Sequence, residues 1–501
     1  MTYPPLKHII FIIGPPWGHL RHGLKTSLRM VEKFPDLFIS VFVYHKEVSK
    51  ALKHLSAQPT VYPSRVRVVT TTNSDGDPLT TSGLDISGVA SLEKSFGLWV
   101  TSELQQATVV QLDDRPINKP SLIIEDFYVA GAALASKSIH GLPIVAWWSM
   151  TAAALTNTLG HGESDKSRGV FENIYTLSEE GQQHPQEDSD SLICMPGVPP
   201  RYKWEFAPQD LPFLQLIVPH VVARMKIMAK HVRTVVICST VEFEPIPAAV
   251  FSNAVNTKPF FIGPSVDLAP THQTEPESPV TQFLDRAYTE KGAHSVIYVS
   301  FGTIFFPLPS STSHLMTVLD EILHAGFKFI LTLSSDTAQL DKSSMDGHVR
   351  AGNAIFPEWT NQTAVLEHPA IHYFLSHGGW NSSTEAIVRG VPMMFWPIMG
   401  DQIPNAVQIA EVHDCGFELL QVRTGPAKSK AYQNGTEVEI VGTDDAVREE
   451  IRNILALSKG PRGEHQRMNT RLLGKVIANS LGPNGSGDIE LEKFGKALEL
   501  A

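Results

Sequence analysis

Short apolar runs recur between longer stretches with helical spacing, through both halves of the chain, and nothing else in the sequence restricts its fold as strongly. In the first half they cover residues 9–13, 37–43, 66–70, 122–124 and 143–146, and in the second 295–301, 327–333, 371–375 and 391–396. Most are continuous rather than alternating, as expected of parallel strands buried on both faces by helices. Between two of them Leu315, Val318, Leu319, Ile322 and Leu323 share one helical face that closes at Gly326. The pattern predicts an α/β chain built from two doubly wound sheets.

At 501 residues the chain exceeds what one hydrophobic core usually supports, so two domains with a cleft between them are expected. The polar stretch 267–280, with three prolines, reads as their link. The expected parts are residues 1–266, the linker 267–280, residues 281–483 and a terminal helix within 484–501. Residues 422–435, rich in Lys, Gly and Ser, read as a polar loop. In open α/β sheets ligands bind beyond the carboxyl ends of the strands, so functional residues are sought there.

The 41 basic and 52 acidic side chains leave a net charge of -11, which works against nonspecific attraction to nucleic acid or an anionic membrane. Any phosphate must therefore be gripped locally. Cys194, Cys238 and Cys415 form neither a disulfide framework nor a metal spacing, and a reducing compartment is expected. No run of about 20 apolar residues occurs, which predicts a soluble chain. Asn-x-Ser/Thr triplets begin at Asn361, Asn381, Asn434 and Asn484. The first two fall in the ligand segment described next, where a glycan would block binding, so a cytoplasmic location is expected.

Residues 359–402 carry the most information. The strand 371–375 delivers the chain into His377-Gly378-Gly379-Trp380-Asn381-Ser382, and a helix starts near Asn381. Glycines let backbone approach a ligand, and a helix N-terminus offers unpaired N–H donors and a positive dipole end. His377 and the Ser382 hydroxyl add donors suited to a diphosphate. Glu385, one turn into the helix, can accept both hydroxyls of a ribose, and Asp401 with Gln402 suit sugar hydroxyls.

This stretch resembles the nucleotide-sugar signature of the family 1 UDP-glycosyltransferases. The match comprises Trp359, Gln362, Val365-Leu366, His368, His377, Gly379-Trp380-Asn381-Ser382, Glu385, Gly390-Val391-Pro392, Trp396-Pro397 and Asp401-Gln402. Asn361 stands where the family usually has proline, and Gly378 where plant members have cysteine. The resemblance implies that Trp359 stacks on uracil with Gln362 beside it, and that Glu385 holds the ribose. His377, Asn381 and Ser382 would bind the diphosphate, while Asp401 and Gln402 take the sugar. It also implies a GT-B fold, two Rossmann-like domains facing a central cleft, with the last helix crossing back to the N-terminal domain.

Attack by an alcohol on an anomeric carbon needs a general base. Gly14-Pro15-Pro16-Trp17-Gly18-His19 follows the first strand and places His19 where a base facing the cleft would sit. It resembles the family's P-x-x-G-H motif, although His22 stands where proline is common. A carboxylate partner would fix the tautomer of the imidazole. Glu125 and Asp126 both lie at a strand end and point apart, and the family's spacing selects Asp126. Trp148 and Ser149 resemble a segment reaching the transferred sugar, with core packing of the tryptophan as the rival reading. Thr303 resembles a loop residue touching phosphate, with an ordinary turn as its rival.

The implied reaction is in-line displacement on a UDP-hexose, giving a β-glycoside, and Gln402 resembles glucose-preferring members. No metal or other cofactor is expected: Asp75-Gly76-Asp77 and Asp188-Ser189-Asp190 read as solvated loop charges, and His19 with His22 lacks a third ligand. The expected partners are a UDP-sugar and a small, largely apolar acceptor, which Phe171, Tyr175, Trp204, Phe206 and Phe213 could line. A nucleotide-sugar epimerase of the same architecture, or a silent UDP-sugar-binding protein, are the alternatives.

Overall fold

The computed structural model describes residues 4–58, 62–70, 86–106, 111–160, 192–211, 214–254, 257–270, 278–335, 338, 340–425 and 429–500. Asp75, Asp77, Phe171, Tyr175, Asp188, Asp190 and Phe213 lie outside them.

The apolar runs assemble into two separate parallel sheets. The first has the spatial order Lys258–Phe261, Thr234–Ile237, Ile144–Trp148, Arg115–Asp126, Leu6–Ile12, Leu37–Phe42 and Val66–Val69, with Gln111–Leu112 added antiparallel beside Arg115–Asp126. Its chain order reverses between Leu6–Ile12 and Arg115–Asp126, where Ile12 pairs with Glu125. The second has the order Ala354–Ile355, Lys328–Thr332, Val296–Ser300, Ile371–Ser376, Met393–Phe395 and Gly416–Glu418, and reverses between Val296–Ser300 and Ile371–Ser376. Such a reversal opens a crevice at the strands' carboxyl ends, and each lobe carries one.

Thr234–Ile237 and Lys258–Phe261 were not among the expected strands. Pro259 has no N–H to give a ladder and sits on the outermost strand, the position a sheet allows it. The expected polar loop holds the first strand and the turn of a hairpin, Lys430–Gln433 paired with Thr436–Glu439 just beyond it. Asn434 and Gly435 turn it with φ of 51° and 82°, the left-handed pair that a two-residue hairpin requires.

The lobes are interlocked. The helix Leu214–His231 sets Leu214, Val218 and Val222 into the second lobe's core and Met225 and Met228 into the first lobe's. The last helix, Ser486–Ala497, returns from the second half to lay Leu491 and Phe494 on the first lobe's core, with the Phe494 ring 5.4 Å from Phe260. Gly495 is needed there, since a Cβ would fall 2.2 Å from the Phe34 ring. Between the lobes a buried ionic cluster joins Arg201 to Glu418 at 2.9 Å and Arg423 to Glu205 at 2.8 Å. No helix among the described residues is long and apolar enough to cross a membrane.

Candidate active site

The two crevices face each other across a cavity of about 490 Å³. On the first lobe the chain leaves Leu6–Ile12, turns through Gly14, and enters the helix Trp17–Lys33, whose first turn holds His19. Asp126 closes the adjacent strand across the reversal point. Its Oδ2 accepts the Gly14 N–H at 3.1 Å and His19 Nδ1 at 2.8 Å, while Oδ1 accepts the Tyr128 N–H at 3.0 Å. A carboxylate fixed by three donors leaves His19 Nδ1 as the protonated nitrogen and Nε2 as the one with a free lone pair. A side chain at Gly14 would close to 3.0 Å of both Asp126 Oδ2 and Tyr128, so any other residue would press on the partner of His19. The Tyr128 ring lies 4.9 Å from the His19 ring.

Burial pushes the His19 imidazole toward neutrality, but the Asp126 charge and hydrogen bond, with Asp401 beyond, outweigh it and hold the pKa above its ordinary 6.5. Strand alternation carries Glu125 to the opposite face, where its Oε1 accepts the Ala133 N–H at 3.0 Å and burial raises it to about 8.

On the second lobe Ile371–Ser376 leads into His377, two glycines and the helix Trp380–Val388. Gly378 has φ +88°, and a Cβ there would meet the Gln402 carbonyl at 2.9 Å. The His377 ring is held between Gly302 and Gly379, and burial lowers it to about 4, so it stays neutral. Thr303, Trp359, Asn381, Ser382, Glu385, Asp401 and Gln402 all line the cavity with His19, His377 and Ser149. Trp359 is 66% exposed, an indole face left uncovered at the rim. Asn361 caps the helix Gln362–Glu367 by accepting the Ala364 N–H at 3.3 Å, which accounts for an asparagine in place of proline.

Several expected side chains are engaged differently. Gln362 Nε2 donates to Glu385 Oε2 at 2.8 Å and to Ser382 Oγ at 3.2 Å, which draws it toward the helix Trp380–Val388. Asn381 donates one amide hydrogen to the Gly18 carbonyl at 2.7 Å, a bond between the lobes. The Trp380 indole turns away to donate to the Cys238 carbonyl at 2.8 Å, so only its backbone N–H, accepted by Asp401 at 3.3 Å, faces the site. Trp148 packs in the first lobe's core with Nε1 bonded to the Thr151 carbonyl, and Ser149 alone of that pair reaches the cavity. Trp204 stacks on Tyr202 at 4.5 Å and Phe206 is buried against Met195 and Ile403, so both serve packing rather than an acceptor pocket.

Asp401 is raised to about 6 by burial, which its hydrogen bonds from Asn405 and Trp380 oppose. Gln402 Oε1 accepts the Ile398 and Met399 N–H groups at 2.8 and 3.1 Å, fixing the loop beneath the site. Sequence reasoning missed Asn405, which ties Asp401 to the Gly378 carbonyl at 2.7 and 3.0 Å; its signal was the i, i+4 spacing from Asp401. It also missed Arg21 and Lys25, one and two turns beyond the start of the first helix. His22 Nε2 accepts the Ser265 N–H at 3.0 Å, and no three His, Cys, Asp or Glu among the described residues are grouped to hold a metal.

A family model described as UDP-glucoronosyl and UDP-glucosyl transferase matches residues 221–430. The UDP-glycosyltransferase eriJ of Hericium erinaceus is 24% identical over 98% of this chain and 98% of its own length. The solved structure of Phytolacca americana UGT2, complexed with UDP-2fluoro-glucose and pterostilbene, superposes with a TM-score of 0.71 at 19% identity, covering 98% of this chain and 100% of that one. Medicago truncatula UGT71G1, complexed with UDP-glucose, gives 0.71 at 18% identity over 98% of both chains. Likeness of this extent gives the two-lobed GT-B fold.

Proposed function

We propose that this chain, similar to UDP-glycosyltransferases over nearly its whole length, transfers glucose from UDP-glucose to a hydroxyl of a small, largely apolar acceptor with inversion. The observation that carries the proposal is the His19–Asp126 pair, 2.8 Å apart, facing His377 and Ser382 across one cavity. His19 Nε2 takes the acceptor's hydroxyl proton as the acceptor oxygen bonds to the anomeric carbon. The bond from that carbon to the UDP oxygen breaks on the opposite side, so an α-linked donor yields a β-glycoside. Asp126 holds the Nδ1 proton and steadies the imidazolium that forms. The departing diphosphate is met by the N-terminus of Trp380–Val388, by neutral His377 and by the Ser382 hydroxyl.

Glucose is favoured because Gln402 fits the family's glucose-preferring pattern and because both solved neighbours were captured with UDP-glucose or its fluoro analogue. Pterostilbene beside the donor in one of them supports an apolar aromatic acceptor. No divalent metal is required in this reading, in which the helix N-terminus, His377 and Ser382 supply hydrogen-bond donors to the diphosphate. A cytoplasmic location accords with Asn381, whose amide is engaged inside the cleft where a glycan could not be carried.

The test is incubation of the purified chain with UDP-glucose, other UDP-hexoses and a panel of phenolic, terpenoid and sterol acceptors, read by mass spectrometry with and without excess EDTA. A hexosylated product formed equally with chelator is expected. Conversion of the UDP-sugar without any acceptor would replace the proposal with an epimerase.

A further inference from the structure

A carboxylate that is to hold a ribose offers both oxygens, and in Glu385 each already has a protein partner. Oε1 is paired with Arg21 Nη1 from the first lobe, and Oε2 accepts from Gln362. Arg21 lies one turn beyond Gly18 on its helix, and Glu385 one turn beyond Asn381 on the other. With Gly18 bonded to Asn381 and Arg21 to Glu385, the two helices run side by side across the cleft. Arg21 also stands 3.9 Å from Asp267, which is paired with Lys25.

Arg21 is the only lysine or arginine among the described residues lining the cavity, against the carboxylates of Asp267, Glu385 and Asp401. A diphosphate entering there adds two negative charges, while a helix N-terminus contributes only about half a positive one. Beyond what those dipoles supply, an anion in a partly buried cavity lined by carboxylates is stabilised by a compensating cation. The guanidinium is the group positioned to supply it. Asn381 and Ser382, the donors assigned to the diphosphate, lie one turn before Glu385 on the same helix, within a helical turn of the present partner of Arg21.

Resting on the reading of the site as a UDP-sugar site, we infer that Arg21 is a donor-binding residue that changes partners. When the ribose hydroxyls take Glu385, its guanidinium passes from that carboxylate to the ribose-side phosphate. A planar, two-pronged donor suits that anion better than an ammonium.

Removing Arg21 therefore has two opposed effects: Glu385 is freed for ribose, and the phosphate loses its cation. Calorimetric titration of Arg21→Gln with UDP and with uridine separates them. UDP should bind about tenfold or more weaker, while uridine binds as well as or better than to the unaltered protein. Arg21→Lys should fall between, with charge but no fork. If both ligands weaken by the same factor, or UDP does not weaken, Arg21 is merely a tie between the lobes and the inference is overturned. Should Arg21→Gln fail to fold, the UDP-to-uridine affinity ratio of Arg21→Lys decides: a fall supports the partner change, and an unmoved ratio defeats it. Absence of UDP binding to the unaltered protein would defeat the functional reading instead.

Discussion

The two reversal points are topologically alike and chemically unlike. On the first lobe one carboxylate, Asp126, gathers a backbone N–H from each side and the His19 ring, so the arrangement hangs on a single side chain. On the second lobe glycines, a helix N-terminus and several modest donors share the work, and no single group dominates. Proton transfer needs one group with a defined tautomer and basicity, whereas gripping a diphosphate is a sum of weak dipoles. The His19–Asp126 pair of the first lobe should therefore fail in rate when altered, and the loop and helix start of the second lobe in affinity.

The sharpest way to break that contrast is His19→Ala. Turnover should fall by about 10²–10⁴-fold with UDP affinity nearly intact; comparable loss of UDP binding would mean that the division of labour is wrong. Asp126→Asn should cost about 10²-fold in kcat and also move the pH profile. Transfer requires neutral His19, so the rate rises with pH through that residue's pKa, which lies above 6.5 while Asp126 is charged. Without the carboxylate the pKa drops, and the acid limb of the kcat/KM profile should shift to lower pH; an unmoved limb would detach Asp126 from the base.

Effects on the second lobe should be smaller and of another kind. Gly378→Ala places a side chain at φ +88° against the Gln402 carbonyl, which should cost about 1–3 kcal/mol of stability, read as a lowered Tm with weakened UDP binding. Ser382→Ala should weaken UDP by about 1 kcal/mol, roughly fivefold in Kd, with kcat at saturating donor little changed. A collapse of kcat in that variant would erase the distinction between the lobes.

The same contrast governed what could be read in advance. The second lobe's site was legible because its requirements are local: a strand end, two glycines, a helix start and a carboxylate one turn later lie within a few dozen consecutive residues. The first lobe's pair, separated by more than a hundred positions, was found through two strand ends and a resemblance. Which of two adjacent acids turned inward was an alternation that the strand then displayed. Tryptophans were hard to place, because an indole is large enough to serve as core or as clasp: Trp148 takes the first fate and Trp380 the second, while Trp359 stays 66% exposed at the cavity rim. Arg21 and Asn405 escaped notice because their meaning depends on partners from distant segments, Glu385 in one case and the Gly378 carbonyl in the other. The hairpin at Asn434-Gly435 was missed although its turn dipeptide was in plain view, because the surrounding residues alternate only weakly.

The return of the last helix to the first lobe bears on how this protein is made. Translation delivers the first sheet early, yet Leu491, Phe494 and Leu500, which complete its hydrophobic core, follow the whole second lobe and are synthesised after it. Ordinarily an N-terminal domain can finish while the ribosome is still working on the next one. Here the half that emerges first waits for the helix Ser486–Ala497, with Phe34 and Phe260 uncovered until it arrives.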